Sequence, residues 1–310
     1  MAWFAEISCY CAVDAFVLIT GYMANNQNLR YSKIANLWFQ VFFYSCIITL
    51  ILAMVGFNID ISVKEIMKMC MPVIFNRYWF FTAYFGLFLV RPLLDKWLFF
   101  IDENMARRAL VFIVMLFSAL SILSDPFQTE WGYSFVWMCI VYCVGVLLRR
   151  CHLFESRNSK LLILYLFISI AINCTVMFST RIHRLTNYIS PTILLNAVLL
   201  VILFSRLNIK GAVISKMSPL AFGIYLFHGN PVIGAEFVTG VMTFIVDLPV
   251  LTATIYVIGF ALVLFFAGIV VDFIRLQLFK LLHIDRLSEK VVNVIGIMID
   301  KLCWVVEKFF

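Results

Sequence analysis

Residues Leu161–Ser179 read LLILYLFISIAINCTVMFS, nineteen positions without one charged side chain. A helix needs about 20 apolar residues to cross a hydrocarbon core about 30 Å thick, so this stretch predicts a membrane span. The same pattern repeats on both sides of it. Eight further apolar stretches lie at 3–24, 34–56, 75–97, 107–124, 132–148, 189–205, 217–236 and 248–272. Short polar links such as Asn25–Lys33 and Arg149–Lys160 join them. In the 217–236 stretch, Gly229, Pro231 and Gly234 interrupt the second half. No Pro/Gly/Ser-rich linker, soluble domain or repeat period divides the series. The expected fold is all-α, a polytopic transmembrane helix bundle of about nine spans. Residues 1–272 form the helical domain and 273–310 an amphipathic basic tail.

Composition agrees. Hydrophobic residues make up 64% of the chain and charged residues 13%, with a mean hydropathy of +1.01. A soluble domain carries about 25% charged residues, so a water-facing surface is excluded. A signal peptide alone does not account for this, because the apolar character runs from Trp3 to the last residue. The nine cysteines are scattered, mostly inside apolar runs, with Cys139 and Cys143 one helical turn apart. Neither a disulfide framework nor a zinc site has that distribution, so they read as small buried hydrophobes. No metal is expected. No serine-nucleophile motif, HExxH or phosphate-binding glycine loop is present.

Lysine and arginine set the orientation. If the link at 25–33 faces the cytoplasm, the links at 95–108, 149–160 and 206–216 and the tail after 272 share that side. Together they hold 18 of the 24 basic residues, against Lys64, Lys68, Arg77, Arg181 and Arg184 on the other side. The C-terminus is therefore expected in the cytoplasm. The net charge of +7 follows from this bias and calls for no nucleic-acid partner. The tail alternates basic residues with Leu, Ile, Val and aromatics, as helices lying on anionic membrane lipids do. An external start for the first span, which holds Glu6 and Asp14, leads us to expect a helix ahead of Met1.

Ionisable residues at mid-depth cost at least ~2.5–3.5 kcal/mol, so they face a bundle interior and mark function. Asp14 lies near the midplane of the first span, with Thr20 and Gly21 further along it. His228 sits at comparable depth in the 217–236 span, below the Pro231 break, with Tyr225 and Ser218 on the same stripe. Asp14 and His228 are candidate partners; a lone buried histidine is also compatible with a satisfied core residue. The 75–97 span carries Arg77, Trp79, Thr82, Tyr84, Arg91 and Pro92. Arg77 and Trp79 fit the membrane interface, where an aromatic anchor is the ordinary explanation. Arg91 lies about a turn above the inner surface, able to snorkel or to meet an anion. Arg30 and Lys33 flank the same inner mouth.

Three stretches carry a resemblance. Val13-Asp14-Ala15-Phe16-Val17-Leu18-Ile19-Thr20-Gly21-Tyr22 resembles the VDxFFxxSGY segment of membrane acyltransferase family 3, whose members O-acetylate bacterial surface polysaccharides. Tyr78-Trp79-Phe80-Phe81-Thr82-Ala83-Tyr84 followed by Arg91-Pro92-Leu93-Leu94 is similar to that family's YWFxxxY…PLL span. Gly223-Ile224-Tyr225-Leu226-Phe227-His228-Gly229-Asn230-Pro231 looks like its GIYLIHxNP signature. Thr20 replaces the usual serine and keeps the hydroxyl.

The resemblance implies ten spans and a bacterial inner (plasma) membrane location. It implies acyl transfer from cytoplasmic acyl-CoA, acetyl-CoA in the first instance, to a sugar hydroxyl of a surface polysaccharide or lipid-linked saccharide. Asp14 and His228 become catalytic candidates, Thr20, Trp79, Tyr84 and Tyr225 substrate-binding candidates, and Arg30, Lys33 and Arg91 candidates for the CoA phosphates. For His228 a substrate-binding or structural role stays open. The family's first helix carries an arginine and a catalytic histidine that have no counterpart in these 310 residues; the stretch alone is expected to be inactive until such a helix is supplied. The alternatives are a transporter or flippase for lipid-linked saccharides and a degenerate scaffold. A transporter predicts polar residues spread over many helices, whereas here they collect in the first, third and eighth spans.

The orientation is testable with single cysteines in a cysteine-free background. A membrane-impermeant thiol reagent should label residues 125–131 in intact cells and leave the C-terminal tail unlabelled until the membrane is opened. Labelling of the tail in intact cells refutes it.

Overall fold

In hydrocarbon every backbone N–H and C=O must be satisfied without water, which a helix does within its own segment. The described residues accordingly form helices and turns, with no strand among them. The computed structural model describes the chain apart from residues 1–6, 26–29, 58, 60, 61, 123, 155, 181, 182, 209, 210 and 310; at 179, 180, 183, 184, 213 and 307–309 it describes the backbone alone. Glu6, Arg181 and Lys210 lie outside the described residues, as do the side chains of Arg184 and Lys308.

In chain order the helices are α1 (Ala12–Tyr22), α2 (Tyr31–Met54), α3 (Val63–Cys70), α4 (Trp79–Phe100), α5 (Glu103–Ile122), α6 (Phe135–Arg150), α7 (Ser159–Thr180), α8 (Pro191–Ser205), α9 (Ala212–Met217), α10 (Ala221–His228), α11 (Pro231–Ile245), α12 (Val250–Leu281) and α13 (Ile284–Phe309). Four of them, α2, α5, α7 and α12, are long and apolar enough to cross a membrane. The apolar helices α8 and α11 are shorter. The expected tail boundary at 272 falls inside α12, which continues to Leu281 before α13 begins.

The helices gather into two compact units built from separated segments. One comprises residues 1–28 and 79–209, the other 29–78 and 210–310. In the first unit α6 is central, with most of its side chains buried from Trp137 to Leu148. Helix α1 lays its Asp14, Val17, Leu18 and Gly21 face inward, a one- and two-turn spacing that makes a single stripe. Gly21 meets Gly145 of α6, and a Cβ on either would strike the other helix's backbone. Small residues permit such close approach between membrane helices. At the far ends, Arg149 donates to the carbonyl oxygens of Tyr22 (3.1 Å) and Ala24 (3.5 Å), and Arg150 to those of Leu98 and Ile101. Cations on the last carbonyls of a helix satisfy orphan acceptors and oppose the helix dipole.

In the second unit α10 packs on α12, and a Cβ on Gly223 would occupy the place of the Asp272 carboxyl. Helix α13 runs beside the start of α2, with Asn36 hydrogen-bonded to Asp285. The break expected near Pro231 is present. α10 ends at His228, and Asn230 caps α11 by accepting from the Val232 N–H at 3.0 Å, with Pro231 at the first helical position. α11 then continues to Ile245, beyond the expected end at 236. Helix α3 is capped by Ser62, and its Glu65 accepts from both Lys68 (3.0 Å) and Arg77. The Arg77 guanidinium, helped by Lys68, holds the Glu65 carboxyl below its ordinary range against the upward pull of partial burial.

The α1–α6 crossing can be overfilled deliberately. Gly145→Leu should cost about 1–3 kcal/mol and lower the thermal midpoint of the detergent-solubilised protein. Gly259→Leu, whose Cβ has nothing within 4 Å, should leave it unchanged. Equal midpoints for both variants would show that the crossing is not closely packed.

Candidate functional site

Each unit carries a polar centre. In the first, Asp14 is fully buried on α1, and its Oδ1 accepts from the indole N–H of Trp137 at 2.9 Å. Its Oδ2 has no hydrogen-bond partner among the described residues. Further along α1, the Thr20 hydroxyl lies 3.2 Å from the Phe16 carbonyl and 2.9 Å from the Tyr84 hydroxyl. A hydroxyl has one proton to give: if Thr20 donates to Phe16, Tyr84 donates to Thr20. The candidates Thr20 and Tyr84 are thus in contact, with Phe16 edge-on to the Tyr84 ring. Trp79 lies within an aromatic group, 4.7 Å from Tyr133 and 5.9 Å from Tyr188 between ring centroids.

Arg91 also belongs to this unit. Its Nε donates to Asp95 at 3.1 Å, its guanidinium lies over the Tyr142 ring, and Tyr142 in turn donates to Asp95. Its charge is therefore balanced by a carboxylate one helical turn away. Arg30 and Lys33 belong to the second unit, both exposed at the start of α2.

In the second unit His228 closes α10, with Tyr225 edge-on to it at 5.8 Å and Tyr78 6.4 Å from Tyr225. The His228 Nδ1 lies 2.8 Å from the Ile224 carbonyl oxygen. A carbonyl only accepts, so Nδ1 carries the proton and the neutral ring keeps its lone pair at Nε2. Asn230, fully buried two residues on, donates to the Tyr44 carbonyl (3.0 Å), Thr49 Oγ1 (3.2 Å) and the Tyr78 hydroxyl (3.4 Å). The Tyr44 carbonyl lies in the π-helical turn Phe43–Ile48, a wider turn of the kind often found at functional sites.

Beneath α10, Asp272 is fully buried and has donors on every side. Tyr44 (2.9 Å), Gln40 (3.2 Å) and the Arg275 Nε (2.8 Å) reach its Oδ1, and the Arg275 Nη2 reaches its Oδ2 at 2.7 Å. Arg275 also lies over the Phe279 ring. Little in the local sequence marks this network, because Asp272 stands at the edge of an apolar run where a charge looks interfacial. The available signal was the Asp272–Arg275 spacing of one turn. Trp137, the partner of Asp14, was missed because an indole in an apolar stretch looks like lipid-facing bulk. The expected partners Asp14 and His228 lie in different units; within its own, each has the contacts given above.

Trp137→Phe keeps the ring and removes the donor to Asp14. It should destabilise the protein by about 1–3 kcal/mol, the cost of a buried acceptor left unpaired, read as a lowered thermal midpoint. Asp14→Asn in the same background should restore part of the loss; no loss in Trp137→Phe would mean that the indole does not hold the carboxylate.

The acyltransferase 3 family model, described as an acyltransferase domain, matches residues 1–272. No curated protein and no solved structure matches the chain. The matched region contains all three motif segments, the Asp14 centre, the His228 helix end and Asp272 itself. The chain belongs to acyltransferase family 3.

Proposed function

We propose that this protein is a membrane-bound O-acetyltransferase. It moves an acetyl group from cytoplasmic acetyl-CoA to a sugar hydroxyl of a surface polysaccharide, or of its lipid-linked precursor, across a bacterial inner membrane. Family membership supports acyl transfer; the observation that carries the site is His228, whose Nδ1–H is committed to the Ile224 carbonyl. A sugar hydroxyl is a weak nucleophile and needs a base that works near neutrality, the range in which histidine ordinarily titrates. With Nδ1 committed, Nε2 takes the hydroxyl proton as the sugar oxygen bonds to the thioester carbonyl carbon. Collapse of the tetrahedral adduct breaks the C–S bond, and the imidazolium returns its proton to the departing CoA sulfur. The products are the O-acetyl sugar and free CoA.

The remaining candidates take supporting roles. Asp14, oriented by Trp137, offers a buried carboxyl group at membrane depth. Within the first unit Thr20 and Tyr84 present hydroxyls and Trp79 a ring face; in the second, Tyr225 presents its ring beside His228. Arg30 and Lys33 are exposed cations at the start of α2, whereas Arg91 shares its charge with Asp95 and holds the inner end of α4. The proposed topology keeps nine spans with the C-terminus in the cytoplasm.

General base catalysis contributes about 10²–10⁴-fold. With this base on the chain itself, the 310 residues transfer acetyl groups without an added helix, contrary to the expectation of inactivity above. His228→Ala should lower transfer of radiolabelled acetyl groups to de-O-acetylated surface polysaccharide by that factor, with the thermal midpoint unchanged. Activity within a few-fold of wild type would remove His228 from the mechanism.

A further inference from the structure

The end of α6 and the turn after it place Arg149, Arg150 and His152 around a cavity of about 340 Å³. Gly21 and Asn25 from the end of α1 and Phe99 of α4 contribute to its walls, and no carboxylate lines it among the described residues, which exclude Glu155. Four other arginines give the contrast. Arg91 is paired with Asp95, Arg107 with Glu103, Arg275 with Asp272 and Arg77 with Glu65. Arg149 and Arg150 instead bond backbone carbonyls, which satisfy some N–H groups and leave the full positive charge. The same bonds hold both side chains in place, so little rotamer freedom remains to be lost on binding. His152 is set at the rim by a left-handed φ of 49°, and Phe154 follows at 67°, a backbone state that non-glycine residues hold only under constraint.

We infer that this cavity binds phosphate, and that the phosphates are those at the adenosine end of CoA. Guanidinium groups match phosphate oxygens in pairs, and such charge-assisted bonds are the stronger kind. The volume lies at the lower end of the roughly 300–1,000 Å³ of small-molecule sites, enough for a nucleotide end and not for the whole cofactor. The inference rests on the acyl-CoA reading above and assigns the phosphates to residues other than Arg30, Lys33 and Arg91. An anionic lipid headgroup has the same chemistry, and the test separates the two.

The full chain in phosphatidylcholine nanodiscs is titrated calorimetrically with CoA and with dephospho-CoA, which lacks the 3′-phosphate. CoA should bind about tenfold tighter or more. Arg149→Gln and Arg150→Gln should each weaken CoA about ten- to a hundredfold and narrow the gap between the two ligands. A merely structural role would not narrow it. Arg206→Gln, an arginine that also caps carbonyls (2.7 Å to Arg157 O) outside the cavity, should leave the Kd unchanged. Should the glutamine variants fail to fold, Asn25→Glu sets a carboxylate in the exposed wall and should weaken CoA comparably.

CoA affinity indifferent to these changes overturns the inference, as does absence of CoA binding by the wild-type chain. Equal affinity for the two nucleotides, with CoA displaced in phosphatidylglycerol discs, assigns the cavity to lipid and also overturns it. Acetyl transfer plays no part in the readout. Arginine-dependent CoA binding by protein that transfers no acetyl group sinks the proposed reaction and spares this site; transfer with arginine-independent binding does the reverse.

Discussion

Inside hydrocarbon no water answers a charge, and an ionised side chain left alone there costs several kcal/mol. Much of this protein's packing follows from that constraint. Asp272 draws Gln40 and Tyr44 from α2 and Arg275 from its own helix. Asp14 draws Trp137 from α6, and Asp95 draws Arg91 and Tyr142. The apolar surfaces are nearly interchangeable, since one leucine-rich face packs against another or against lipid about equally well. Polar contacts are not interchangeable, because each wrong pairing strands a donor or an acceptor. They select which helices touch, and glycines at Gly21, Gly145 and Gly223 let those helices come close enough.

The placement of the candidate catalytic helix end shows the consequence for function. Tyr44 serves α10 and its sequel in two ways, with its hydroxyl on Asp272 and its carbonyl receiving Asn230. One end of α10 rests through Gly223 on that same carboxylate, and just beyond the other end Asn230 is tied down. Between these two points stand Tyr225 and His228. A histidine that is to take a proton from a sugar hydroxyl has to be held with one nitrogen committed and the other available. Restraint at both ends of a short helix, together with the Ile224 carbonyl, accomplishes this without a carboxylate partner.

The arginines divide along a line that net charge conceals. Counted for topology, all of them weigh alike. By their partners, Arg77, Arg91, Arg107 and Arg275 are balanced by carboxylates, while Arg149 and Arg150 bond backbone carbonyls. The first group ties its charge to local structure; the second keeps a charge that the proposed phosphate site uses. Arg91 belongs to the first group because Asp95 lies one turn along α4, a spacing visible in the sequence but outweighed there by its position near the membrane surface.

The sequence by itself determined the class of fold, since hydrophobicity is a local property and a run such as Leu161–Ser179 has few ways to exist outside a lipid-spanning helix. It also determined the break after His228, because Pro231 cannot donate within a helix, and the family, through three short motifs in order. It singled out Asp14 and His228 as candidates by their incongruity with hydrocarbon, and Thr20 and Tyr84 through the motifs. Only the tertiary structure decided what they meet. Trp137 lies 123 positions from Asp14, and Tyr44 lies 228 positions from Asp272. No periodicity encodes such distances; they arise when helices choose neighbours that satisfy one another's buried groups, a property of the assembled protein rather than of any segment.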